Sequence, residues 1–225
     1  MARPLIIRLC NWVGEAVLAL PGLLALEEAG YELHIIGKKW SQSLLAGHGW
    51  TIHVRPAKRS DAIAQLRRLK RELGERDPSF AGRPNVVLLT NSFSSALECR
   101  LAGLRPVGNA GEGRTWFLSR SVSRAQGIHA AAQYARITGI LGGEKPVGDS
   151  RLRVDPSARQ KAQKLLQAHG VSGRFVILCP FSGAADTTGK KQWPDFPELA
   201  KLIHSAGWTV VLCPGPGEEP QAQSG

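Results

Sequence analysis

Negative charge is scarce in this sequence: 18 Asp and Glu stand against 29 Lys and Arg in 225 residues, a formal charge of +11. Such a field favours anionic partners, whether nucleic acid, lipid surfaces or phosphorylated substrates. Aromatic residues are also few, at 6%, and neither an RNP-type nor a helix-turn-helix pattern occurs. A basic nucleic-acid-binding module is therefore kept only as an alternative of another class. The four cysteines, Cys10, Cys99, Cys179 and Cys213, form no C-x-x-C pair and no Cys/His cluster. Common zinc motifs are excluded, and reduced thiols at apolar strand ends are expected. No uninterrupted apolar run reaches the roughly 18 to 20 residues of a membrane span. Arg8, Asn11 and Glu15 break the N-terminal apolar stretch, and no clean small-residue cleavage site follows; a cytoplasmic protein is expected. The first strand is not followed by G-x-G-x-x-G, which argues against a dinucleotide-dependent dehydrogenase, and Gln192 follows Lys191 where a Walker A loop needs Ser or Thr. No Asp-x-Asp pair occurs and no internal repeat is evident.

What is present is a chain with 43% apolar residues, enough to bury a core. Apolar runs at 4–9, 32–36, 51–54 and 85–90 predict strands. A helix beginning near Glu15, kinked at Pro21-Gly22, and helices near 40–47, 60–74 and 93–101 are expected between or after them. Short buried strands alternating with helices imply a parallel, doubly wound α/β sheet, whose ligands sit beyond the carboxyl ends of the strands. The 55–76 segment carries eight Lys/Arg against three acids, and Ile63, Leu66, Leu69 and Leu73 mark one apolar helix face. A second unit follows the loop 142–154. There Asp155 caps a helix with Pro156 at its first position and Gly170 past its end, ahead of a strand at 175–180, a helix at 195–206 and a strand at 208–213. The domains are thus 1–150 and 151–225, the second with only two strands where a free-standing sheet needs about three.

Three strand-end loops hold the residues suited to chemistry. The first, 8–15, places Gly14 and the Glu15 carboxylate where a strand hands over to a helix. A carboxylate there is stabilised as the anion by the helix dipole and can accept a proton, or it is simply a helix-starting residue. The second, 90–97, opens polar donors onto a helix N-terminus, where Asn91 or Ser92 either caps the helix or helps to hold an anion or sugar hydroxyls. In the third, 181–194, small residues allow backbone approach to a phosphate, Ser182 and Thr187 donate hydrogen bonds, and Lys190 or Lys191 supplies positive charge; an ordinary mobile loop is the other reading.

The segments 5–15, 91–97 and 191–194 resemble, in order and separation, those of the ADP-heptose:lipopolysaccharide heptosyltransferase family. The Asn91-Ser92-Phe93 element and the Trp12-Val13-Gly14 turn are closer to the second enzyme of that pathway than to the first. The resemblance implies a GT-B architecture, with a Rossmann-like N-terminal acceptor domain (1–150) and an incomplete Rossmann-like donor domain (151–225). It implies inverting transfer of heptose from ADP-heptose to the lipopolysaccharide inner core. Glu15 would be the catalytic base, where family members usually carry aspartate. Asn11, Gly14, Asn91 and Ser92 would bind the acceptor, and Ser182, Thr187 and Lys191 the donor phosphates. No metal or other cofactor is expected, because lysine and backbone amides would carry the leaving-group charge. Nor is nucleic acid expected as a partner. The acceptor would be an anionic Kdo-lipid A or heptosylated core, met at the inner face of the cytoplasmic membrane. Family members continue into an Asp-[Ser/Thr]-Gly-x-x-His stretch that does not occur before Gly225, so a truncated or catalytically inactive homologue is the alternative within the same ancestry.

Overall fold

The computed structural model describes residues 2–111, 113–142, 150–181, 193–215 and 217–223. They fall into two compact units, Met1–Pro156 and Ser157–Gly225. In the first, strands alternate with helices as β1 (Arg3–Arg8), α1 (Val13–Glu28), β2 (Tyr31–Gly37), α2 (Trp40–Leu44), β3 (Thr51–Val54), α3 (Arg59–Arg76), β4 (Val86–Leu88), α4 (Phe93–Leu101), β5 (Pro106–Asn109), β6 (Arg120–Val122) and α5 (Ala130–Gly139). The six strands form one parallel sheet in the order β3-β2-β1-β4-β5-β6. This is the Rossmann order, in which the direction of winding reverses between the first and fourth strands.

Alternation along buried strands sends side chains into two layers. Leu5, Ile7 and Leu9 join Leu20, Leu23 and Ile137 on the side of α1 and α5, while Ile6, Val86 and Leu88 join Leu66, Leu69, Leu73 and Cys99 on the side of α3 and α4. Helix α1 continues through Pro21 to Glu28 and buries Ala16, Ala19, Leu20, Gly22, Leu23, Ala25 and Leu26. Gly22 is needed for its approach to α5: a Cβ there would lie 2.6 Å from the Thr138 hydroxyl oxygen. The buried stripe of α3 is Ala62, Leu66, Leu69 and Leu73, with Ile63 only half-buried at its margin. Arg67, Arg68 and Arg71 remain exposed on the opposite face, and Lys70 is half-buried.

Helix α6 (Pro156–Ala168) begins at the boundary, and the second unit continues with β7 (Phe175–Leu178), α7 (Phe196–Ser205), β8 (Thr209–Leu212) and α8 (Glu219–Gln223). Strands β7 and β8 pair in parallel, with α7 as the crossover between them. Helix α6 ends as its sequence dictates. The Val171 N–H donates to Leu166 O and the Gly170 N–H to Gln167 O, with Gly170 at φ 68°, the hydrogen-bond pattern of a left-handed C-terminal cap. Among the described residues of this unit, Leu178 is the only buried apolar side chain, while Leu165, Ile177 and Leu202 are more than half exposed. All four cysteines are free; Cys10, Cys179 and Cys213 follow strands as expected, but Cys99 lies inside α4. No helix among the described residues is long and apolar enough to cross a membrane.

Candidate active site

Strands β1 and β4 are neighbours, yet their connections turn to opposite faces, α1 to one layer and α4 to the other. The loops leaving their carboxyl ends therefore diverge and open a crevice between them. Two cavities occupy it. One, of about 200 Å³, is lined by Cys10, Asn11, Glu15, Asn91, Ser92 and Tyr134; the other, of about 620 Å³, by Glu15, Asn91, Asn109, Arg124, Gln133 and Tyr134 among others. Glu15, Asn91 and Tyr134 line both.

Glu15 is the third residue of α1, exposed in its first turn. Trp12 occupies the cap without a side-chain hydrogen bond, and the Lys38 ammonium lies 5.2 Å from its ring centre. The first turn thus has no side-chain cap, and its backbone N–H groups favour negative charge nearby. Gly14 is exposed beside it but lines neither cavity, and a Cβ there would meet nothing within 4 Å. On the facing loop, Ser92 caps α4 by accepting from the Ser95 N–H at 3.4 Å. Asn91 does not cap and lines both cavities. Asn11, Glu15, Asn91 and Ser92 are accordingly brought together, Gly14 is not, and Ser182, Thr187 and Lys191 lie outside the described residues.

The facing loop is held from beneath. The Arg114 guanidinium, 1% exposed, donates from Nη1 to Thr90 O. Gly108 makes room for it, since a Cβ there would stand 3.1 Å from Leu88 O and 3.2 Å from Arg114 Nη2. Thr90 Oγ1 donates to Ser95 Oγ at 2.9 Å, and Ser95 Oγ to Ser92 O at 2.8 Å. At the back of the crevice the Asn109 amide donates to Asn91 Oδ1 at 3.0 Å, and Gln133 donates to Asn109 Oδ1 at 2.7 Å. Burial, reinforced by the Glu15 charge, pushes the Cys10 thiol up to about 11, so Cys10 is an inert neighbour and not a nucleophile. Burial also raises the Tyr134 phenol, which leaves a neutral hydroxyl at the cavity wall. The site therefore offers one carboxylate together with amide and hydroxyl groups and, in the larger cavity, the Arg124 guanidinium, a set matched to an oxygen-rich ligand with an exchangeable proton.

Sequence reasoning missed Asn109, Arg114, Arg124, Gln133 and Tyr134, because no element was expected between 102 and 141. Strand β5 begins at a proline, contains Gly108 and has a single β-branched residue, Val107, so it carries no strand pattern of its own. Helix α5 was legible: Ala131, Tyr134, Ile137 and Thr138 have helical spacing behind the cap His129, and Ala131, Ile137 and Thr138 are buried. A separate groove of about 740 Å³ runs over the outer face of α3, lined by Gln65, Arg67, Arg68 and Arg71 with Pro56 and Asp61.

A parallel sheet in this order with its polar crevice at the switch point, accompanied by a second unit containing a parallel β-α-β pair, is the GT-B type of glycosyltransferase fold. The chain belongs to glycosyltransferase family 9 (heptosyltransferase), whose family model matches residues 66–224. A solved family 9 glycosyl transferase from Veillonella parvula DSM 2008 superposes with a TM-score of 0.77 at 17% identity, over 99% of this chain and 66% of that one. The E. coli ADP-heptose lps heptosyltransferase II gives 0.69 at 21% identity over 94% and 64%. The E. coli heptosyltransferase WaaC, solved with ADP-2-deoxy-2-fluoro heptose, gives 0.63 at 19% identity over 98% and 72%. This chain thus spans about two thirds of the length of the first two of these structures. No curated protein sequence matches it.

Proposed function

We propose that this chain takes part in transfer of a heptose from ADP-heptose to a hydroxyl of the lipopolysaccharide inner core, with the switch-point crevice of the first unit as the acceptor site. The observation that carries this reading is the position of Glu15, which shares both cavities with the Asn91 amide in a chain of the heptosyltransferase family. The Glu15 carboxylate takes the proton from the acceptor hydroxyl as that oxygen attacks the anomeric carbon, and ADP departs from the opposite face with inversion. A positioned base of this kind contributes roughly 10² to 10⁴ in rate. Asn11, Asn91 and Ser92 donate to acceptor oxygens. Lys191, with Ser182 and Thr187, meets the diphosphate, a charged hydrogen bond there being worth about 1.5 to 3 kcal/mol. The reading of a nucleotide donor draws support from the ADP and ADP-sugar ligands of the E. coli WaaC structures. The exposed arginines of α3 suit a cytoplasmic protein working peripherally at an anionic membrane face, where its lipid-linked acceptor is presented.

The test is heptose transfer from ADP-heptose to a lipid A acceptor bearing the core sugars, with wild type, Glu15→Gln and Glu15→Asp. Glu15→Gln keeps size and helix-end polarity but removes the base, so turnover falls by about 10² or more while ADP-heptose affinity holds. Glu15→Asp retains part of the activity if the longer side chain is matched to this crevice. Wild-type turnover by a folded Glu15→Gln protein would end the base assignment and leave Glu15 as a helix-dipole residue.

A further inference from the structure

Three side-chain amides, from the β4–α4 loop, strand β5 and helix α5, meet at the back of the crevice, and their hydrogen bonds all run one way. The Ala125 backbone N–H donates to Gln133 Oε1 at 3.0 Å. Gln133 Nε2 donates to Asn109 Oδ1 at 2.7 Å, and Asn109 Nδ2 to Asn91 Oδ1 at 3.0 Å. A backbone N–H can only donate, so it fixes which end of the Gln133 amide faces it, and each following amide inherits its orientation from the one before. Asn109 sits at the end of β5 and is 4% exposed. Turning it over would set donor against donor or acceptor against acceptor, at the cost of unsatisfied buried groups. The chain ends at Asn91, which is exposed to the cavities it shares with Glu15. Its oxygen is turned toward Asn109, so Nδ2 with its two N–H groups is the end left for the cavity.

We propose that Gln133 and Asn109 are positioning residues whose one-directional amide ladder turns the N–H groups of Asn91 toward the crevice it shares with the Glu15 carboxylate, so that the crevice selects a hydroxyl of a polyhydroxylated acceptor. A carboxylate accepts and an amide N–H donates. Of the oxygen groups of a saccharide, a hydroxyl can satisfy both at once, whereas an ether or carbonyl oxygen satisfies only Asn91. The lone pair that Asn91 engages lies on the same oxygen whose proton faces Glu15. This deepens the acceptor reading above and rests on it.

Gln133→Glu tests the ladder with almost no change of shape. The new carboxylate still accepts from Ala125, but it requires Asn109 to turn its Nδ2 inward. Asn109 Oδ1 then faces Asn91, and Asn91 turns its oxygen to the crevice. Side-chain amide hydrogen exchange followed by NMR reads the reversal directly: the Asn91 NH₂, fast in the wild-type chain, becomes slow in Gln133→Glu. Titration with a de-acylated Kdo-lipid A saccharide reads the consequence, an affinity about tenfold or more lower in Gln133→Glu at an unchanged melting temperature, from loss of one hydrogen bond and apposition of two acceptors. Asn91→Asp, which presents an acceptor without touching the ladder, should show the same loss. Unaltered Asn91 exchange in Gln133→Glu would overturn the ladder. A reversed ladder with wild-type saccharide affinity would overturn the donor role of Asn91. Absence of saccharide binding by the wild-type chain would overturn the acceptor reading and the selection built on it, while the exchange data still judge the ladder separately.

Discussion

Arg8 and Glu98 show how single buried residues depend on charges that the sequence leaves far apart. Arg8 ends β1 with its side chain directed to the layer of α3 and α4, 7% exposed, donating to Leu9 O and Ile36 O. Burial, aided by the nearby Arg55 charge, pulls its guanidinium down to about 10, and Glu98 opposes that fall. Glu98, 4% exposed in α4, accepts from Arg55 at 3.2 and 3.3 Å and lies 3.9 Å from Arg59. Removing one partner of a buried ion pair leaves an uncompensated charge, a loss of about 3 to 5 kcal/mol at full burial. Because Arg55 is partly exposed, Glu98→Gln should approach but not exceed that range. Urea unfolding monitored by circular dichroism checks it, and a variant within about 0.5 kcal/mol of wild type would show that Glu98 does not hold this cluster. None of this pairing was visible in the sequence, where Arg8 read as an interruption of an apolar run and Glu98 as one helical residue among others. The partners come from the segment that links β3 to the start of α3 and from α4, which meet only when the sheet assembles.

At the scale of the elements, the crevice depends on how closely α5 packs on α1, since α5 carries both Gln133 and Tyr134. Thr138 is fully buried, and its hydroxyl donates to Tyr134 O at 3.3 Å and Ala135 O at 3.0 Å. A β-branched side chain so tied has little freedom to move away. Gly22→Ala places a methyl group 2.6 Å from Thr138 Oγ1. Overpacking costs typically 1 to 3 kcal/mol, against about 1 kcal/mol gained from the better helix former. The expected net effect is a destabilisation of up to about 2 kcal/mol, seen as a lower melting temperature and weaker acceptor binding as α5 shifts. Adding Thr138→Ala should relieve the clash and restore a substantial part of both losses, whereas simple additivity of the two substitutions would mean that Gly22 and Thr138 do not share this contact. The helix starting near Glu15 was legible from its apolar run and its polar turn. The need for glycine at position 22 was not, because Gly22 reads locally as part of a Pro-Gly break and only α5 makes it a contact residue.

Over the whole molecule the excess of positive charge is concentrated where the first unit can use it. Arg67, Arg68 and Arg71 line the groove on α3, and Arg68 pairs with Glu72 at 3.6 Å across an exposed helical turn, a contact worth a few tenths of a kcal/mol. Asp61 in the same groove offsets part of their field, and the remainder is available to an external anionic surface, at roughly 1 kcal/mol per basic residue close to it. Reversing Arg67, Arg68, Lys70 and Arg71 to glutamate should abolish co-sedimentation with anionic lipid vesicles at low salt, and moderate salt should weaken the wild-type interaction. Equal sedimentation of the two proteins would remove α3 from any account of membrane contact.

The sequence by itself determined the parallel α/β class, the apolar stripe of α3, the position of α4 and the two strand-end loops that follow β1 and β4. Each rests on a local period or a local cap, and local interactions are what a linear chain displays. It also placed Asn11, Glu15, Asn91 and Ser92 at strand ends, where the parallel sheet brings their loops together at the switch point. Only the tertiary structure decided which strands are neighbours and therefore that β1 and β4 share one crevice. Only it showed that β5 and α5 supply Asn109, Gln133 and Tyr134. Strand β5 is four residues long with a proline and a glycine in it, so its conformation comes from pairing with β4 and β6 and not from its own preferences. The direction of the Gln133-Asn109-Asn91 ladder is likewise fixed by one backbone N–H, that of Ala125. The spacing of these four residues along the chain carries no trace of that bond, because side-chain amides become oriented only when burial removes water as an alternative partner.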